Sequence, residues 1–176
     1  MTTPPKLRTL VDLVPESNGS KDSRLGYTWL IEGETPGYCL KPPELDRAAR
    51  SLAAKLQSTS TRGDVTLLLF RPGLDFIVGL FGCVYAGLIA IPAFLPRGER
   101  DAARLKAIIE DARPTLALTS PGDIDRARSV LRPDDLRKLR LTGAGMHCAE
   151  HDGAEYAGRW RPPSVSPDDT TILQYT

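Results

Sequence analysis

After Pro42-Pro43, apolar residues return at three- and four-residue steps: Leu45, Ala48, Ala49, Leu52, Ala53 and Leu56 fall on one side, Asp46, Arg47, Arg50 and Lys55 on the other. That spacing predicts an amphipathic helix packed on a core, with proline at its first turn. The period then changes. Val65-Thr66-Leu67-Leu68-Leu69-Phe70 is almost continuously apolar, the pattern of a strand covered on both faces in a parallel sheet. Helical and strand patterns alternate beyond it. A helix over 74–86, capped by Gly87, leads to a strand over 88–92. A helix over 100–112, with Leu105, Ile108, Ile109 and Ala112 on one face, leads across Pro114 to a strand over 115–119. A helix over about 122–131, a weak strand near Leu139-Arg140-Leu141 and a closing strand over 170–175 extend the series. Strand, helix and strand joined by short connections predict an α/β fold, a layered and mostly parallel sheet with flanking helices. Residues 1–42 are weakly patterned, with a turn-rich stretch at 15–20 and a strand at 27–31, and read as an N-terminal arm with a hairpin. The expected division is therefore an arm over 1–42 and an α/β unit over 43–176.

The composition of the 176 residues, 41% hydrophobic and 26% charged, is that of a soluble globular protein. Its 23 basic and 22 acidic residues leave a formal charge of +1. No long-range field therefore favours nucleic acid or an anionic membrane, and recognition rests on a shaped site. Cys39, Cys83 and Cys148 are odd in number and widely spaced, and Met1–Arg8 has no apolar stretch resembling a signal peptide. A reducing cytoplasm fits best. Phe76–Leu95 carries no charge and is long enough to cross a bilayer as one helix. Gly87 divides it into a helix and a strand, and its flanks lack interfacial Trp or clustered Lys/Arg, so no transmembrane span is expected.

Candidate chemistry is sparse. His147, Cys148, Glu150 and His151 form the densest group of metal-ligand types. The glycines around them indicate a solvated loop, and no metal site is expected. The Phe70-Arg71-Pro72-Gly73-Leu74-Asp75 junction offers free backbone N–H groups to an anion, but without a glycine fingerprint it reads as helix capping, with Asp75 near the positive helix end. Pro92-Ala93-Phe94-Leu95-Pro96-Arg97-Gly98 follows the end of a central strand, where open α/β sheets bind ligands. It could equally wall an apolar substrate pocket or act as a rigid connector. Arg97, Arg100, Arg104 and Lys106 beside it read as the solvated face of the 100–112 helix. No nucleophile elbow, Walker loop or paired carboxylates are present, so no catalytic residue is assigned.

Taken together these blocks resemble the N-terminal part of the acyl-adenylating enzymes, and within them the fatty acyl-AMP ligases related to fatty-acid CoA ligases. The residues that carry the resemblance are Gly63-Asp64-Val65 through Phe70, Pro72-Gly73-Leu74-Asp75-Phe76, and Phe81 through Ala93. Arg104-Leu105 to Arg113-Pro114 and Trp160-Arg161-Pro162-Pro163 to Leu173-Gln174-Tyr175-Thr176 continue it. In that family the Gln-Tyr-Thr triplet opens onto Ser-Gly-Ser-Thr-Gly, a loop whose backbone N–H groups and hydroxyls hold ATP phosphates. The resemblance makes Thr176 the one nucleotide-site residue that carries over.

It further implies that ATP and magnesium serve the full-length enzyme and that neither binds tightly to these residues alone. The implied substrate is a fatty acid and the implied acceptor an acyl carrier protein or coenzyme A. The expectation is a scaffold portion, inactive by itself, with self-association through an exposed sheet edge. Two alternatives remain open: a fatty-acid CoA ligase portion, and a non-catalytic binding or assembly module. An unrelated doubly wound nucleotide-binding domain is disfavoured, because no strand here runs into a glycine fingerprint.

Overall fold

In a computed structural model, residues 9–12, 26–146 and 156–176 are described. Two short strands come first, β1 (Tyr27–Ile31) and β2 (Thr35–Leu40), paired antiparallel. Helix α1 (Pro42–Gln57) follows. Pro42 occupies its first turn, and Glu44 accepts the Lys41 backbone N–H at 2.8 Å, which satisfies a donor the helix leaves open. The remaining elements are β3 (Val65–Phe70), α2 (Leu74–Ala86), β4 (Ile89–Phe94), α3 (Glu99–Ala112), β5 (Leu116–Thr119), α4 (Ile124–Val130), α5 (Pro133–Lys138) and β6 (Arg140–Gly143).

The four longer-range strands form one parallel sheet in the order β4-β3-β5-β6. Its central strand β3 sends Leu68 and Phe70 to one face and Leu67 and Leu69 to the other. The first face packs on α1 and α2 through Leu45, Leu52, Val78 and Tyr85, the second on α3 and α4 through Leu105, Ile108 and Ala127. Both faces are thus buried, which is why β3 reads as a continuous apolar run.

The 76–95 stretch is a helix followed by a strand, as its glycine foretold. Gly87 adopts φ 74°, and the bonds from Gly87 N–H to the Val84 carbonyl and from Leu88 N–H to the Cys83 carbonyl close α2. Among the described residues no helix is long and apolar enough to cross a membrane. Burial within α2 pushes the Cys83 thiol up to about 12, and the neighbouring Thr66 hydroxyl offsets part of that rise.

Two readings need correction. The expected helix over 122–131 is a short 3-10 turn (Pro121–Asp123) running into α4, and Pro133 then opens α5, which at six residues is too short for its period to be read. More consequential, residues 170–175 do not form a strand. They make one parallel bridge, Ile172 to Ala90, with bonds from Ala90 N–H to the Thr171 carbonyl and from Leu173 N–H to the Ala90 carbonyl, each 2.9 Å. The next outward-facing residue of β4 is Pro92. It has no N–H to offer the Leu173 carbonyl, so the ladder stops after one rung.

The return of the chain toward that bridge is fixed by Trp160. Its ring stacks on Tyr85 with centroids 5.2 Å apart, its Nε1–H donates to the Tyr85 carbonyl at 2.8 Å, and the Arg50 guanidinium lies 4.5 Å from its centroid. Asp46 holds both Arg50 (3.0 Å) and the Tyr85 hydroxyl (2.9 Å). Asp46 and Arg50 therefore do not simply face solvent; they complete an anchor. Trp160→Ala is expected to cost about 2 kcal/mol, for lost aromatic burial and one hydrogen bond. Urea denaturation would measure it, and a loss below about 0.5 kcal/mol, the scatter of a neutral surface change, would refute the anchor.

Candidate functional site

Because β3, β4, β5 and β6 are parallel, their carboxyl ends share one edge of the sheet, the edge where open α/β folds place ligands. The connections leaving it are held to one another. Asp75, in the first turn of α2, accepts the Ser120 hydroxyl at 2.8 Å and the Met146 backbone N–H at 2.9 Å. The carboxylate expected to cap its own helix instead ties α2 to the segments beyond β5 and β6. Gly145 makes this possible: a Cβ there would lie 2.6 Å from the Asp75 carboxyl carbon, and its φ of 149° falls where side chains are disfavoured. Arg71, just past β3, pairs with Asp123 at 2.7 Å. Thr119 Oγ1 donates to the Leu69 carbonyl at 2.7 Å, locking β5 to β3 at the same edge.

Beyond β4 the Pro92–Gly98 segment divides. Pro92, Ala93 and Phe94 belong to the strand itself, which runs two residues further than the sequence pattern indicated. Leu95 and Pro96 are buried, and the Pro96 carbonyl accepts Arg126 at 3.4 Å. Phe94 projects at the edge, 74% exposed. The segment over 171–176 runs toward this same edge, parallel to β4 from its bridge at Ala90. Its exposure alternates from Thr171 to Thr176, the mark of extended chain. Thr176 itself is exposed.

The edge gathers Arg71, Asp75, Asp123 and Phe94; Thr176, the one residue expected to meet a ligand, lies on the segment that runs toward it. The Asp75 cross-link escapes sequence reading because its partners lie 45 and 71 residues away. Among the described residues no group of three or more His, Cys, Asp or Glu is placed to hold a metal. His147, Cys148, Glu150 and His151 lie outside the described residues. Two crevices sit elsewhere. One, about 470 Å³, lies between residues 9–11, the Arg62–Asp169 ion pair and the start of β4; the other, about 270 Å³, lies between α1 and β6.

A family model described as AMP-binding enzyme matches residues 43–176. The chain belongs to that family. As an AMP-binding enzyme chain it is 33% identical, over 98% of its length, to the medium-chain-fatty-acid–[acyl-carrier-protein] ligase JamA of Moorena producens, and it covers 29% of that relative. In structure it is similar to the fatty acid AMP ligase of Legionella pneumophila, with a TM-score of 0.81 and 28% identity, covering 97% of this chain and 28% of the other. A fatty acyl-adenylate ligase of L. pneumophila in complex with acyl adenylate and pyrophosphate gives 0.79 and 29%, with the same coverage. This AMP-binding enzyme chain thus spans under a third of the length of each of these three relatives.

Proposed function

We propose that these residues are the N-terminal scaffold of a fatty acyl-AMP ligase, with the arm over 1–42 leading into part of the adenylating domain over 43–176. One observation supports the reading: the segment that ends in Gln174-Tyr175-Thr176, which resembles the approach to an ATP phosphate loop, runs parallel to β4 in the direction of the sheet's carboxyl edge. In the complete enzyme a fatty carboxylate oxygen attacks the α-phosphorus of ATP, the bond to the bridging oxygen breaks, and acyl-adenylate and pyrophosphate form. Positioning and charge stabilisation dominate such a step. The acyl group then passes to a carrier-protein thiol or to coenzyme A, in the cytoplasm.

Thr176, an exposed residue, is the one here that would meet the nucleotide, through its hydroxyl. Magnesium belongs to the same proposal, but none of the present residues is assigned to it. Phe94 and the Leu95-Pro96 turn supply an apolar wall at the carboxyl edge suited to the acyl side.

Residues 1–176 alone are expected to release no pyrophosphate from ATP on addition of a medium-chain fatty acid. A coupled pyrophosphate assay checks this, and sustained acid-dependent turnover by the pure chain would sink the scaffold reading. A second reading, a binding or assembly module, draws on the hairpin, where Trp29, Leu30, Ile31 and Tyr38 are all exposed. In the scaffold reading that apolar ribbon and the outer strand β6 drive self-association of the isolated chain. A stable monomer that binds fatty acid would favour the module.

A further inference from the structure

Residues 170–176 carry little sheet pairing of their own, yet Tyr175 is held in a defined place. With the ladder halted at Pro92, a different element takes hold of it. Arg104 on α3 donates from its guanidinium to the Tyr175 carbonyl at 2.7 Å, and the Tyr175 hydroxyl donates to Asp111 Oδ2 at 2.6 Å. Arg104 and Asp111 stand seven residues apart on the same helix. Two turns separate them by about 10 Å, close to the span of a tyrosine from carbonyl oxygen to hydroxyl. Both bonds involve an ionised group, and their lengths are those of charge-assisted hydrogen bonds. The Tyr175 ring between them packs on the α3 core together with Leu173.

We propose that Arg104 and Asp111 are positioning residues that grip Tyr175 at its two ends and so fix Thr176 on its course toward the carboxyl edge of the sheet, replacing the ladder that Pro92 interrupts. The assignment rests on the proposed function for its consequence, since Thr176 matters only as the approach to the phosphate loop. The grip itself stands on geometry. Consistent with it, the hydrogen bond from Tyr175 to Asp111 and the Asp111 charge hold the phenol above the ordinary tyrosine range.

The test uses the 176-residue chain, without nucleotide. Backbone ¹⁵N order parameters at Tyr175 and Thr176 are expected to be near those of β3, about 0.85, and to fall below about 0.6 in Arg104→Ala and in Asp111→Asn. The urea midpoint should not move, because the bonds are on the surface. Asp111→Asn should also return the Tyr175 phenol titration toward the ordinary value, and Asp111→Glu should restore both readouts. Pro92→Ala in the Arg104→Ala background should regain order by returning the missing N–H to the ladder. A tail already mobile in the unaltered chain, or one indifferent to both substitutions, overturns the grip. In the full-length ligase of the proposed function the same two changes should raise KM for ATP about tenfold and leave KM for the fatty acid within about twofold. An unchanged KM for ATP would overturn the positioning role even with an ordered tail, whereas absence of adenylating activity in the unaltered enzyme would overturn the proposed function and leave the grip standing.

Discussion

Replacing Gly82 with valine is expected to lower the free energy of unfolding by about 3 kcal/mol, the upper part of the range for overpacking a filled core. Gly82 lies on the face of α2 that meets α1, and a Cβ built there falls 2.4 Å from Leu52 Cδ2, 2.7 Å from Cγ and 3.1 Å from Cβ. The tip of Leu52 could swing aside, but its Cβ is fixed to α1, so relief requires the two helices to part. Glycine in a helix interior costs about 1 kcal/mol against alanine, and valine recovers only part of that, so propensity does not offset the strain. Leu52 is itself buried, which closes off a cheap rotamer. Chemical denaturation followed by circular dichroism measures the effect. If the strain is local to this pair, Gly82→Val should cost much less in a Leu52→Ala background, and a full cost retained there would mean that the two helices do not meet at Gly82.

That close approach illustrates what the sequence discloses and what it withholds. The apolar face of α1, the run of β3 and the Gly87 cap are local patterns, each readable from a window shorter than the element, and all three recur in the structure. The identity of the partner face is not local. Gly79 and Gly82 look like ordinary glycines in an apolar helix until Phe70 and Leu52 are set against them. Asp46 and Arg50 read as solvent-facing because the stripe opposite them is apolar; their partners, Tyr85 and Trp160, lie 39 and 110 residues later.

The tail is the sharpest case. Thr170 to Tyr175 has the composition of a strand, and nothing within it forbids one. The obstruction is Pro92, some eighty residues earlier, acting through a donor it lacks on the edge strand of the sheet. For the same reason Thr176, through resemblance, is the one site residue that sequence reading proposes. The Asp75 cross-link and the hold on Tyr175 are made of residues whose local roles, a helix-end acid and the polar face of an amphipathic helix, look complete without them.

Leu68→Ala is expected to cost about 3 to 4 kcal/mol and to lower the melting temperature by roughly 10 °C. Leu68 is 0% exposed at the middle of β3, in register with Pro92 of β4 and Leu118 of β5, and its side chain enters the core beneath α1 and α2. Neighbours on a three-strand platform cannot collapse into the vacated volume without breaking ladder bonds, which places the cost in the upper half of the range for leucine truncation. The substitution also decides whether the two cores are one cooperative unit. Leu68 serves the α1–α2 side and Leu67 and Leu69 the α3–α4 side, yet all three hang on the same backbone. If β3 couples them, Trp160 fluorescence in a Trp29→Phe background, which reports the α1–α2 side, and backbone circular dichroism should shift together and stay superimposable. Transitions that separate, with the Trp160 signal lost first, would mean that the α3 side holds its fold independently. The carboxyl edge would then be set by α3, β4 and the tail alone.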